Sequence, residues 1–122
     1  MELRSHKEAL MGVIDLIEKA LDIRVFYQRI LASNIANAET PGYKEQELDF
    51  KKEMERAATG STRFEVTQKE SSDGIAAIDG NTVGMEDQVV KMTENTLMFN
   101  SLIQMINKKF SMMRYAINEG RK

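Results

Sequence analysis

The chain has 122 residues, a formal net charge of −2 at neutral pH, one histidine and no cysteine. This length allows one domain or one hairpin-like unit, and the near balance of acidic and basic residues gives no electrostatic drive toward nucleic acid or an anionic membrane. The lack of cysteine excludes disulfides, thiolate metal sites and cysteine nucleophiles.

A long first helix is predicted from about residue 8 to residue 38, within an N-terminal unit at 1–40. It carries two apolar stripes whose members recur every three or four residues. A helix that is apolar on two faces needs cover from two sides. Since the chain has only one other strongly predicted helix, we expect partner chains to cover the remaining apolar face. The stripes are Leu10, Ile14, Ile17 and Leu21, and Val13, Leu16, Ala20, Ile23, Tyr27 and Ile30.

The first helix is predicted to end before Pro41-Gly42. Proline cannot continue a helix, and it disfavours helical geometry at the preceding Thr40. Proline followed by glycine suits a type II turn, in which the glycine takes a positive φ angle. We therefore expect a sharp turn at this point.

The middle unit, 41–84, has weaker signals. Apolar residues at 48–58 have loosely helical spacing, which indicates a brief helix, and the alternation of Phe64 and Val66 with polar residues indicates a short strand. Two Asp-Gly dipeptides flank residues 75–78 and favour turns. A small hairpin and a mobile loop are equally open interpretations there.

The last unit, 85–122, is predicted to be one helix that opens near Gly84, with Glu86 and Asp87 in its first turn, where negative charge favours the helix dipole. Its apolar residues alternate spacings of four and three, the 3.5-residue period of a coiled coil. Such a helix would run roughly 50 Å, which exceeds a compact domain of this size. We predict that this line is an assembly seam. Its apolar members are Met85, Val89, Met92, Phe99, Ile103, Ile106, Phe110, Met113 and Ile117, and Thr96 is the one polar residue in the line.

The fold predicted from these elements is mainly α. Long N- and C-terminal helices pair as a coiled-coil-like hairpin, and a short irregular or β-hairpin segment lies between them.

No pattern typical of catalysis or metal binding is present in the sequence. His6 stands alone near the N-terminus, where a solvated histidine is far commoner than a ligand or a general base. Asp15, Glu18 and Asp22 recur at helical spacing with Lys19 among them, which favours a solvated helix face. We expect no metal, no cofactor, no small-molecule substrate and no enzymatic activity.

The hydropathy pattern predicts neither a membrane span nor a cleaved leader. No apolar run approaches the roughly 20 residues that a span needs, and residues 1–8 lack an apolar segment after a basic start. We expect a protein that stays in the cytosol or leaves by a route without leader cleavage.

An unusual segment, residues 31–44, places two asparagines three residues apart among small residues. Two interpretations of the asparagines are open. In the first, the amides of Asn34 and Asn37 bind a neighbouring backbone that the small residues allow to approach closely. In the second, the role is local, and Asn37 satisfies carbonyls at the helix end before the turn.

This segment resembles the N-terminal signature of the bacterial flagellar axial proteins, the family of rod, hook and hook-associated subunits. Residues 107–110 (Asn-Lys-Lys-Phe) and 114–117 (Arg-Tyr-Ala-Ile) resemble the proximal rod subunits within that family. The chain departs from the family at Gly84, where relatives commonly carry an aspartate cap, and glycine is an acceptable replacement there. The signature positions are Asn34, Ala36, Asn37, Thr40, Pro41, Gly42 and Tyr43.

The resemblance implies a structural subunit of the basal-body rod, assembling through its terminal helices with copies of itself and with other rod subunits. It also implies a place in the periplasmic rod, type III export without leader cleavage, and contacts with the export apparatus and membrane-ring proteins. No contact with nucleic acid and no direct membrane insertion is expected. The alternative, from a different class, is a cytosolic coiled-coil adaptor or secretion chaperone.

Overall fold

The computed structural model describes residues 2–69 and 80–119. In chain order the elements are α1 (Glu2–Ala36), β1 (Gln46–Glu47), α2 (Phe50–Ala58), β2 (Thr67–Gln68) and α3 (Met85–Glu119). Helices α1 and α3 pack along each other in opposite directions, so the predicted mainly α hairpin is confirmed. Among residues 2–69 and 80–119, none of the helices combines the length and the hydrophobicity that a membrane span requires.

Helix α1 ends at Ala36, before the predicted boundary, and the chain then turns twice. The first turn is closed by a hydrogen bond from Thr40 N to Asn37 O at 3.0 Å. The second is the predicted type II turn, with Gly42 at φ 75° and Tyr43 N donating to Thr40 O at 3.2 Å.

The hairpin core is built from the first apolar stripe of α1. Ile14 and Ile17 are buried against Ile106 of α3. Leu10, Leu21, Leu102 and Met113 are partly buried around them. Full burial of each isoleucine contributes about 1.5–3 kcal/mol, so these contacts hold the half of the hairpin that lies farthest from the turn.

The second stripe of α1 is covered only in part. Ala20, Ile23 and Ile30 are buried, whereas Val13 is 39% and Leu16 is 48% exposed. Helix α2 and strand β1 pack against α1 and cover the C-terminal half of this stripe. The remaining apolar surface near the N-terminus of α1 is open.

The predicted brief helix is confirmed as α2, where the Asp49 side chain accepts a hydrogen bond from Lys52 N at 3.2 Å. The strand predicted at Phe64 and Val66 is wrong, because β2 lies just after it and pairs antiparallel with β1. Phe64 instead stacks on Phe26, with ring centroids 4.4 Å apart. The interpretations of residues 75–78 fall outside the described residues.

Candidate assembly interface

Asn34 is fully buried where α1, β1 and α3 meet. Its side-chain amide pairs with the backbone of Gln46 in both directions, donating from Nδ2 to the carbonyl at 2.9 Å and accepting at Oδ1 from the amide at 3.0 Å. The same Nδ2 donates to Gln88 Oε1 on α3 at 3.0 Å. The Asn34 side chain therefore makes the hydrogen bonds that a neighbouring strand would make at one edge of β1. It also links β1 to both long helices.

Asn37 acts locally, as the second interpretation predicts. Its Nδ2 donates to Ser33 O at 2.8 Å, and its Oδ1 accepts from the Thr40 hydroxyl at 3.1 Å. Asn81, just before α3, donates from Nδ2 to the carbonyls of Asn37 at 3.0 Å and Thr40 at 2.7 Å. The end of α1 is thereby joined to the start of α3 within one chain.

The remaining signature residues shape the turn. Ala36 closes α1, and Pro41 and Gly42 are exposed. The Tyr43 hydroxyl donates to Asn34 Oδ1 at 3.3 Å. Gly42 and Gly80 both take positive φ angles, and a Cβ at Gly80 would lie 3.7 Å from Gly42 Cα, so the two backbones pass close together.

A buried carboxylate, Glu45, fixes residues 43–49, which we call the connector, to α3. It is 1% exposed and accepts hydrogen bonds from Gln88 Nε2 and, at 2.9 Å, from Lys91 Nζ. Lys69 Nζ lies 3.6 Å from its other oxygen. Sequence patterns give no signal for this cluster, because its partners are distant in the chain and Glu45 stands in a generally charged segment.

The pKa of Lys91 reflects this contact. Burial alone would lower the pKa, but hydrogen bonds to Glu45 and Asp87 outweigh burial, and the pKa is raised above its ordinary value. A base whose pKa is raised by folding contributes its full stability below its unfolded pKa, about 10.4, and loses it as the pH rises beyond that value.

Replacing Lys91 with Met should lower the free energy of unfolding by about 1.5–3 kcal/mol at neutral pH, because Glu45 loses a charged hydrogen-bond donor. This difference from wild type should stay constant between pH 7 and about pH 10 and shrink only above that. Urea unfolding followed by circular dichroism at a series of pH values measures it, with Lys52→Met on exposed α2 surface as the matched control. A difference that shrinks already between pH 7 and pH 9 contradicts the assigned ion pair.

The line of α3 that faces α1 begins with polar residues. Gln88 and Asn95 are buried, and Asn95 Nδ2 donates to the Arg24 carbonyl and to Gln28 Oε1, both at 2.9 Å. The apolar pattern of α3 does not include Gln88 and Asn95, because their side chains are polar amides. Each lies one residue before a seam position, Val89 and Thr96, so the contact line inside the chain is shifted toward one edge of the predicted seam.

The predicted seam is therefore divided between two environments. Ile106 and Met113 belong to the hairpin core, Phe99 lines a groove between α1 and α3, and Met92 is half-buried. Met85 is exposed at the start of α3. The other members recur at seven-residue spacing along one side of α3, which we call the seam flank: Val89, Thr96, Ile103, Phe110 and Ile117.

The charged residues on α1 form a solvated face, as predicted. Asp15, Glu18 and Asp22 are exposed, and Asp15 pairs with Lys19 at 3.0 Å. Across 2–69 and 80–119, no group of three or more histidine, aspartate or glutamate side chains is placed to hold a metal ion. His6 is exposed on α1.

Comparison with known proteins adds independent findings. A family model described as "Flagella basal body rod protein" matches residues 27–44, the segment that contains Asn34 and the turn. The chain is 34% identical over 113 residues to the flagellar basal body rod protein FlgB of Cereibacter sphaeroides, covering 81% of this chain and 88% of that protein.

The FlgB proteins of Proteus mirabilis and Salmonella typhimurium are 30% and 29% identical over 125 residues, covering 84% of this chain and 91% of each relative. All three relatives are named as rod proteins of the basal body, and they do not support a cytosolic adaptor or chaperone.

Proposed function

This chain belongs to the FlgB family of flagellar basal body rod proteins and is a structural subunit of the rod, and we propose that it joins its neighbours through the outward sides of α1 and α3. The observation that carries the proposal is the seam flank. Val89, Phe110 and Ile117 are 50%, 39% and 38% exposed at a heptad spacing. Packing against α1 within the same chain requires only one apolar line on α3. A further apolar line at heptad spacing is therefore suited to contact with a helix of another subunit.

The buried polar contacts support this role by fixing what the subunit presents. Asn34, Asn81 and Glu45 tie the turn and the connector to both long helices. The pairing of α1 with α3 therefore does not depend on the apolar contacts alone, and the outward flanks keep a defined position relative to each other.

The subunit assembles with other components of the basal-body rod. We further propose that its partners include copies of itself, the export apparatus and the membrane-ring proteins. Family membership also favours a place in the periplasmic part of the rod, type III export without leader cleavage, and a purely structural role without catalysis.

Replacing Phe110 with Asp should prevent incorporation into basal bodies and abolish swimming. An unpaired charge in a closed contact costs on the order of 3 kcal/mol or more, a factor of about 100 in each contact. Because Phe110 is 39% exposed and lies outside the buried core of the single chain, the purified subunit should stay folded and lose much less stability than a change at a core position would cost. Immunoblots of isolated basal bodies and swimming in soft agar measure the outcome.

Gln104→Asp is the matched control, since Gln104 is also exposed on α3 but lies outside the seam flank. It should swim normally. A Phe110→Asp strain that also assembles and swims normally would refute the seam flank as an assembly surface.

A further inference from the structure

Arg24 lies where the three helices meet. Its guanidinium carbon is 4.1 Å from the centre of the Phe50 ring at the start of α2. Its Nη1 donates a hydrogen bond to Asn95 Oδ1 on α3 at 3.4 Å. Both contacts are with uncharged groups, so the fold holds the guanidinium in place without neutralising its charge.

Arg24 has no acidic partner among residues 2–69 and 80–119. Its Nε is shielded from water and has no hydrogen-bond acceptor there. Burial lowers the pKa of Arg24, and Tyr27, rather than a carboxylate, acts in the opposite direction. The ion pairs in this part of the chain are made by other basic residues: Arg4, Lys19, Arg56, Lys69 and Lys91. Since charged groups are rarely withdrawn from water without a partner, a carboxylate from another molecule would complete this site.

Arg24 lines a groove of about 420 Å³ between α1 and α3. Exposed Arg29 also lines it, and no carboxylate of residues 2–69 and 80–119 pairs with Arg29. The other lining residues are uncharged: Val25, Gln28, Ala32, Asn95, Thr96 and Phe99. Within the described residues the groove therefore carries positive charge only, although the net charge of the whole chain is −2.

We propose that this groove, which we call the arginine groove, binds the side-chain carboxylate of an aspartate or glutamate on a neighbouring rod subunit. The inference rests on the proposed function and names the chemistry of one contact between the subunit and its neighbour. Apolar surfaces accept many partners, whereas this contact requires a negative charge at one position. The arginine groove therefore selects the partner and its position more than it adds to the total affinity.

The guanidinium has the geometry that such a contact requires. Nε and one Nη of an arginine can donate two parallel hydrogen bonds to the two oxygens of a carboxylate. Nε is the donor that the folded chain leaves without an acceptor. A rotation of the side chain is needed to present this edge, because Nε is shielded from water in the free subunit.

The apolar walls of the groove favour a protein side chain over a free inorganic anion. Val25 is 43% exposed, and Ala32 and Phe99 line the same groove. A free anion would neutralise the arginines but would leave these apolar groups in water. An acidic residue beside an apolar one would cover both, so we expect the partner segment to carry this pair.

Replacing Arg24 with Met tests the need for the charge. Methionine keeps an apolar stem against Phe50, so the purified subunit should retain its helical circular dichroism. Its amount in isolated basal bodies, measured by immunoblot, should fall by about 30-fold or more, because the partner's carboxylate loses its counter-charge. Arg63→Met, on exposed surface outside the groove, is the matched control and should be incorporated normally.

Photo-cross-linking identifies the partner while Arg24 is intact. A photoreactive benzoylphenylalanine replaces Val25 or, in a second strain, Ala32, and isolated basal bodies are irradiated. Mass spectrometry should locate the cross-link in a neighbouring rod subunit, beside an aspartate or glutamate. Replacing that carboxylate with its amide should lower incorporation of this chain as strongly as Arg24→Met does. The two changes combined should cause no further loss, because they break the same contact.

Normal incorporation of a helical Arg24→Met subunit would overturn the proposal. It would also be overturned by cross-links that stay within one chain or reach only segments without an acidic residue, by no cross-link from either position, or by losses that add in the combined variant. The cross-link and the amide variant keep the proposal testable if Arg24→Met fails to fold. The seam flank is tested separately by Phe110→Asp, so the proposed rod function stands if only the arginine groove fails.

Discussion

Replacing Asn34 with Asp is expected to release the connector from the hairpin and to lower the free energy of unfolding by about 3–5 kcal/mol. The carboxylate keeps the acceptor that serves the Gln46 amide, but it has no hydrogen to donate to the Gln46 carbonyl or to Gln88 Oε1. Two buried acceptors would lose their donor and would face a negative charge in a site with no exposure to water.

The change should be visible in backbone hydrogen exchange at Gln46 and Lys69. The Gln46 amide binds Asn34, and the Lys69 amide donates to Glu45 O at 2.8 Å, so both report whether β1 stays in place. Asn100→Asp is the matched control, because Asn100 is exposed on α3. If both amides remain as protected in Asn34→Asp as in the natural chain, the role given to Asn34 is refuted.

Replacing Ile106 with Asp is expected to open the hairpin itself. Ile106 is 7% exposed and packs with Ile14 and Ile17, so the change removes core contacts and buries an unpaired charge. A loss of about 5 kcal/mol is comparable with the whole stability of many small domains. The purified variant should lose much of its helical circular dichroism and its cooperative melting transition.

Ile106→Val sets the scale for this measurement, since a single lost methylene should cost about 0.5–1.5 kcal/mol. Phe110→Asp, four residues away, should keep the helical signal of the natural chain. The two aspartate variants thus separate failure to fold from failure to assemble. If Ile106→Asp melted at the same temperature as the natural chain, the described core would not be what holds the hairpin together.

Local chemistry in the sequence predicts the long elements well. The long helix that begins at Met85, the stripe at Ile14 and Ile17, and the Pro41-Gly42 turn each depend on residues close together in the chain, and each is confirmed. The misplaced strand has a physical cause. Phe64 stacks on Phe26, and the Glu65 amide donates to the Glu53 carboxylate. These two residues therefore contact α1 and α2 rather than pairing with β1, and β2 begins only after them.

The candidate interface was harder to predict, because its organisation depends on distant polar pairs. Nothing near Glu45 in sequence points to Lys91, and no apolar pattern includes Gln88 or Asn95. These amides determine which edge of the predicted seam turns inward. The sequence predicts the apolar line of α3, whereas the distribution of its members between core and surface requires the contacts with α1.

The two ends of the hairpin are held by interactions of different character. In the part of the hairpin nearer the turn, hydrogen bonds from Asn34 and Asn95 join α1 to α3. Each requires one distance and one direction, so these bonds fix the position of the helices along each other. Toward the opposite end, methyl groups around Ile106 are satisfied over a range of positions. The two helices are therefore held in one register near the turn, and we expect small bends that match neighbours of unequal shape to occur toward the opposite end, where apolar contacts join them.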